Sequence, residues 1–215
     1  MFTKDRTQVC SSTVGCFPDL ESLYNTVSRE ARMHMERVAD YGDRLYRFML
    51  EQDPDRLIRE LGEEFPRYSK KVFQMHDIGR HYVPVAIVNK VDKLTDEEYQ
   101  IIRDHAINAA KAIDSIYQKP FPEAVMQQFY NIAVFHHERY DGKGYPLGLA
   151  GENIPLGARI CAVADTYDGI TSWKPYKQKQ TSGEEAVGLI CREAGRQFDP
   201  YVVDMFRRCA DDMRG

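Results

Sequence analysis

No Cys-x-x-Cys pair occurs in this 215-residue chain, and its five cysteines (Cys10, Cys16, Cys161, Cys191 and Cys209) are odd in number. That pattern signals neither a disulfide framework nor a thiolate zinc site, and reduced thiols are expected. Positive charge is not in excess: 29 Lys and Arg stand against 33 Asp and Glu, a net charge of −4. A protein that coats nucleic acid non-specifically needs the opposite balance, so DNA is not an expected partner. No apolar run approaches bilayer length, and residues 1–8 are polar with no apolar stretch after them. Neither a membrane span nor a signal peptide is therefore read, and a soluble, cytoplasmic protein is expected. Repeats and low-complexity tracts are lacking too.

What is present fits one domain of ordinary globular composition, 43% hydrophobic and 29% charged. Residues 1–18 read as an irregular lead-in and 19–215 as a single domain, with the helical pattern beginning at Asp19. Val38, Tyr41, Leu45 and Phe48 recur at three- and four-residue steps, one buried helical stripe that extends back to His34 and Glu30. Further helices are expected through Leu57–Leu61, from Pro66 to about Asp77, from an N-cap at Thr95 to about Tyr117, and from Pro122 to near Glu138. Pro155 at a first helical position opens another to about Ser172, with two more around 183–194 and 200–213. The run from Val83 to Val88 suits a strand or a helical turn, and Asp141–Gly148 must be a loop. The fold class is all-α, a helical bundle.

Histidine is scarce, with six residues, and five of them stand beside carboxylates or one another. Glu30 and His34 share a helix face; His76-Asp77 and His136-His137 are doublets after apolar runs; His105 is isolated; Asp165 and Asp168 follow the small residues Ala162–Ala164. His81 receives no role. Singly, each is better read as a hydrogen-bonded core or surface residue. Together they would bury many ionisable groups with no matching buried basic residues in view, and divalent cations would remove that cost. Imidazole mixed with carboxylate suits Fe, Mn, Zn or Ni, and a carboxylate such as Asp77 can bridge two ions.

The order His76-Asp77, His105, His136-His137, Asp165 resembles the HD superfamily of metal-dependent phosphohydrolases. The block HHERYDGKGYP from His136 to Pro146, with HDIGR before it and AVADTYDGITSWKPY after it, resembles the HD-GYP subfamily, and the likeness extends to Gln197-Phe198-Asp199-Pro200. The resemblance implies an HD-domain bundle with two or three metals in its core. It also implies phosphodiesterase activity on cyclic di-GMP, giving linear pGpG and in some members GMP. By motif, His34, His76, Asp77 and Asp165 would hold one metal, with Asp77 bridging to a second held by His105, His136 and His137. Glu30 would mark the trinuclear type. Two departures bear on substrate preference: Arg80 replaces the usual lysine, and Trp173-Lys174-Pro175-Tyr176-Lys177 replaces Asp-Arg-Pro-Tyr-Arg.

The expected chemistry is attack on a phosphodiester by a hydroxide held between metals, with Asp77 in the catalytic centre and Arg80, Lys174 and Lys177 clamping phosphate. Asp168 either orients or deprotonates the attacking water, or supports a ligand histidine from behind. Gly142 and Gly144 are expected to allow positive φ in the loop. Tyr145 either contacts the substrate, stacking on guanine or bonding phosphate, or simply packs. In the family this loop has also been read as a docking surface for diguanylate cyclase-type domains. The alternatives are hydrolysis of another cyclic dinucleotide such as cyclic GMP-AMP, and a non-catalytic module that binds such a ligand or docks a partner.

Overall fold

The computed structural model describes residues 16–88, 90, 92–118, 121–172 and 180–213. These residues form eleven α-helices: α1 (Leu20–Tyr24), α2 (Arg29–Gln52), α3 (Pro54–Leu61), α4 (Phe65–Gln74), α5 (Val85–Val88), α6 (Asp96–Arg103), α7 (His105–Asp114), α8 (Glu123–Phe135), α9 (Leu156–Thr171), α10 (Gly183–Arg192) and α11 (Pro200–Met213). Two 3-10 turns, Ile78–Tyr82 and Gly151–Asn153, complete the order. Among the described residues β-structure is limited to isolated bridges, so the all-α expectation holds. The lead-in before Cys16 lies outside the described residues.

The 24-residue α2 is the central helix, packed on α4 and α9, with α8 against both of those. Met35, Val38, Leu45 and Met49 are fully buried on it, while Tyr41 and Phe48 of the predicted stripe pack at the core's edge. Burying such side chains stabilises the fold by roughly 1.5–3 kcal/mol each relative to exposure. A buried Arg159 on α9 ties the far end together: it donates to Asp199, to Glu60 and to the Ile154 carbonyl. That accounts for Asp199 in the late motif, whose neighbour Phe198 is core.

Four helix boundaries differ from the sequence reading. The helix starting at Leu20 stops at Tyr24, where the Thr26 hydroxyl takes the Leu23 carbonyl and Ser28 then caps a fresh helix at the Ala31 N–H. α4 ends at Gln74, so His76 and Asp77 lie on a turn and not on a helix. The helix opened by the Thr95 capping box breaks at Asp104, which puts His105 at the start of α7. Pro155 is the N-cap of α9 and not its first helical residue. Val83–Val88 resolves as the short α5. Cys16 is disulfide-bonded, against the expectation of reduced thiols, whereas Cys161, Cys191 and Cys209 are thiols. No described helix is long and apolar enough to cross a membrane.

Candidate metal centre

Five segments bring the cluster together. The turn after α4 carries His76 and Asp77, the first turn of α7 carries His105, the C-terminus of α8 carries His136 and His137, and α2 with α9 supply His34 and Asp165. Close approach of the first two depends on Gly79. A Cβ there would lie 1.9 Å from the His105 carbonyl oxygen and 2.7 Å from the Ala109 nitrogen. Only glycine lets the 3-10 turn lie on the backbone of α7.

Asp77 is buried at the centre, and its two oxygens face different histidines. Oδ2 lies 3.5 Å from Nε2 of His76 and 3.6 Å from Nε2 of His34. Oδ1 lies 3.1 Å from Nε2 of His105 and 3.8 Å from Nε2 of His136. Two sets of donor atoms converge closely enough to share an ion: Asp77, His105, His136 and His137, and His34, His76 and Asp77. Asp165 adjoins the second set, 3.1 Å from Nε2 of His34. Glu30 is exposed at the start of α2 and joins neither set.

The tautomers identify what this arrangement lacks. Nδ1 of His76 is bonded to the Phe73 carbonyl, that of His105 to Ile102 and that of His136 to Ile132 and Ala133. A carbonyl accepts only, so each Nδ1 carries a proton and, in the neutral ring, Nε2 presents a lone pair to the Asp77 oxygens. Those three Nε2 atoms and both Asp77 oxygens are buried and find no hydrogen-bond partner among the described residues. Lone pairs facing lone pairs in a closed site are costly, and a cation between them is what satisfies all of them. The residues fit a metal centre.

Electrostatics agree. Burial pushes the His76 and His136 imidazoles down and His137 to about 4, so all three are neutral, ligand-ready bases near pH 7. Burial opposes charge on Asp77 as well, but Arg80 and the surrounding histidines hold it well below the usual carboxylate range. His34 goes the other way: burial disfavours its cation, yet bonds to Asp165 and Asp168 lift it to about 9.

The basic residues not evident in the sequence are present. Nε of Arg80 lies 2.6 Å from Oδ2 of Asp77, without the alignment of a hydrogen bond. Arg37 forks onto Asp168, with Nε 2.6 Å from Oδ1 and a terminal nitrogen 3.1 Å from Oδ2. The buried Arg159 belongs to Asp199 and Glu60. Contrary to the sequence expectation, carboxylates at these three places have cationic partners, whereas the imidazole lone pairs have none among the described residues. Asp168 is buried against the ring nitrogen of His34 opposite the one that faces Asp77, and Ser172 and Arg37 take its Oδ1. Asp168 thus lies on the far side of the His34 ring from Asp77.

Beside His136, His137 and Asp165 opens a cavity of about 540 Å³, walled also by Tyr99, Arg103, Arg139, Lys143, Tyr145, Thr166 and Gln197. Its rim is the 141–149 loop. Glu138 is buried and accepts the Leu147 and Leu149 N–H groups at 2.7 and 3.0 Å. Arg139 forks onto Asp141, which also accepts the Lys143 N–H. Gly142 has the expected positive φ of 75°, but Gly144 does not. Gly144 is needed for closeness: a Cβ would fall 2.3 Å from the Arg139 nitrogen. Tyr145 stacks on His137, with centroids 4.8 Å apart and planes 28° apart, and Arg103 lies 4.4 Å over its ring. Lys174 and Lys177 lie outside the described residues.

Sequence reasoning missed Arg37, Glu138 and Arg103. Arg37 follows His34 by one helical turn and Glu138 adjoins the histidine doublet, so spacing could have found both. Arg103 carries no such signal.

Residues 26–202 match the family model described as HD domain. Among curated relatives, a cyclic di-GMP phosphodiesterase of Pseudomonas aeruginosa is 41% identical over 71% of this chain and 33% of its own length. A 3'3'-cGAMP-specific phosphodiesterase of Vibrio cholerae is 31% identical over 87% of this chain and likewise 33% of its own length. The chain thus spans about a third of the length of these relatives. Among solved structures, an HDG"Y"P protein from Bdellovibrio bacteriovorus matches with a TM-score of 0.55 at 19% identity, over 92% of this chain and 58% of that one. With the HD turn and these likenesses together, the chain belongs to the HD domain family, and its His136–Pro146 block resembles the HD-GYP group.

Proposed function

We propose that this domain is a metal-dependent phosphodiesterase that opens cyclic di-GMP to linear pGpG. The observation that carries the reading is the division of the Asp77 carboxylate, one oxygen toward His34 and His76 and the other toward His105 and His136. On this reading His34, His76, Asp77 and Asp165 hold one divalent ion, and Asp77, His105, His136 and His137 hold a second. Glu30, exposed and apart, is not included, so the centre is dinuclear. Imidazole and carboxylate donors suit Fe or Mn, with Zn or Ni as further options. When bound, such ions supply Lewis acidity that lowers the pKa of water and neutralises phosphoryl charge.

The chain's own groups do the rest. Backbone carbonyls fix each Nδ1–H so that Nε2 points inward, and Asp168, gripped by Arg37, does the same for His34. Arg80 beside Asp77 offers its remaining N–H groups to a phosphate at the centre. Lys174 and Lys177 keep their proposed part as further phosphate contacts. The loop with exposed Leu147 remains a candidate docking surface for diguanylate cyclase-type domains. Hydrolysis of 3'3'-cGAMP is the second reading, supported by a relative of that specificity at 31% identity.

Turnover decides it. Protein prepared without oxygen and loaded with Fe(II) or Mn(II) is expected to convert cyclic di-GMP to pGpG, separated by chromatography, and Asp77→Ala is expected to abolish this. Two metals bound per chain with no product from cyclic di-GMP, but product from 3'3'-cGAMP, would transfer the assignment to the mixed dinucleotide. Two metals and no product from either would end the phosphodiesterase reading.

A further inference from the structure

Three arginines at or near the centre are committed: Arg80 to Asp77, Arg37 to Asp168 and Arg139 to Asp141. Arg103 is different. It lines the same cavity as His136, His137 and Asp165, and among the described residues no carboxylate pairs with it. Packing does not explain its place either, because α6 buries none of its residues. What holds the guanidinium is the Tyr145 ring, 4.4 Å below it, and that ring is itself stacked on His137. Stacking occupies a face of the guanidinium and leaves its N–H edge unspent.

We infer that Arg103 is the residue by which this site distinguishes guanine from adenine. An unspent guanidinium fork matches two adjacent acceptors, and guanine presents such a pair at O6 and N7. Adenine presents N7 beside an amino donor, so the same fork meets one acceptor and one opposing N–H. The cavity, about 540 Å³, is within the usual range of roughly 300–1,000 Å³ for small-ligand sites. The scissile phosphate belongs at the centre with Arg80, which leaves the Arg103 wall for a base. The inference rests on the cyclic-dinucleotide reading for its biological substrate, but its test does not depend on turnover.

The experiment is binding of GMP and AMP, by calorimetry, to wild type, Arg103→Lys and Arg103→Ala. Metal content and thermal unfolding of each variant serve as the check on folding, and wild-type turnover of cyclic di-GMP is followed in parallel. Wild type is expected to prefer GMP about tenfold or more, the range one bidentate base contact supplies. Arg103→Lys, which keeps the charge and loses the fork, is expected to bring the ratio close to one by weakening GMP alone. An unchanged ratio in both variants would overturn the inference, as would equal weakening of both nucleotides, which marks a phosphate contact. Absent turnover with an intact GMP preference would count against the proposed reaction and not against Arg103.

Discussion

Nδ1 of His34 lies 2.7 Å from Oδ2 of Asp168 across 134 residues of sequence, and this contact fixes which ring nitrogen faces the cluster. The proton on Nδ1 belongs to the bond with Asp168, and Nε2 is turned toward Asp165 and Asp77. Asp168→Asn is therefore expected to weaken metal binding roughly 10- to 100-fold, the usual cost of losing such support. Activity should fall at limiting metal and recover when metal is in excess. Loss that persists at saturating metal would instead assign Asp168 to proton transfer.

The histidines give the metal-free protein a pH optimum of stability. His34 is raised to about 9 in the folded state, against about 6.5 unfolded. Its contribution is fully present below 6.5 and is lost as pH rises through 9. His137 is lowered to about 4, so below 6.5 the unfolded chain gains a proton that the folded chain refuses, and stability falls with pH from 6.5 toward 4. Urea midpoints of chelated protein should therefore peak between pH 6 and 7, roughly. His34→Asn should flatten the alkaline limb and leave the acidic one.

The same protonation state should appear in metal uptake. With His34 protonated and His76, His136 and His137 neutral, binding near pH 7.5 should release about one proton from these groups. Calorimetry in buffers of different ionisation enthalpy measures that number. A release near zero would show that His34 is neutral before metal arrives.

Gly79→Ala and Gly144→Ala should fail in different ways. The first places a methyl 1.9 Å from the His105 carbonyl oxygen and must part the 3-10 turn from α7, so metal binding should be lost along with several degrees of thermal stability. The second places one 2.3 Å from the Arg139 nitrogen and should displace the 141–149 loop. That loop should become sensitive to protease while metal content is retained.

Much of the site was legible because its chemistry is local in sequence. The doublets His76-Asp77 and His136-His137, the Asp165 position and the loop between Asp141 and Gly148 are all contiguous signals. The breaks after Tyr24 and at Asp104 were not legible, because apolar periodicity runs through both and side chains such as Thr26 and Ser28 decide there. Gly144 was misassigned to positive φ because a sequence does not reveal which backbone lies beside it.

By itself the sequence determined the all-α class and the donor types, since helical periodicity and imidazole–carboxylate chemistry are properties of the residues. Tertiary structure decided which donor atoms converge, which way each Asp77 oxygen faces, and that Asp168 stands behind His34. Those depend on distances of a few ångströms between helices remote in the chain, and so did the meeting of Arg103 with Tyr145. The packing of α2, α4, α7, α8 and α9 sets them.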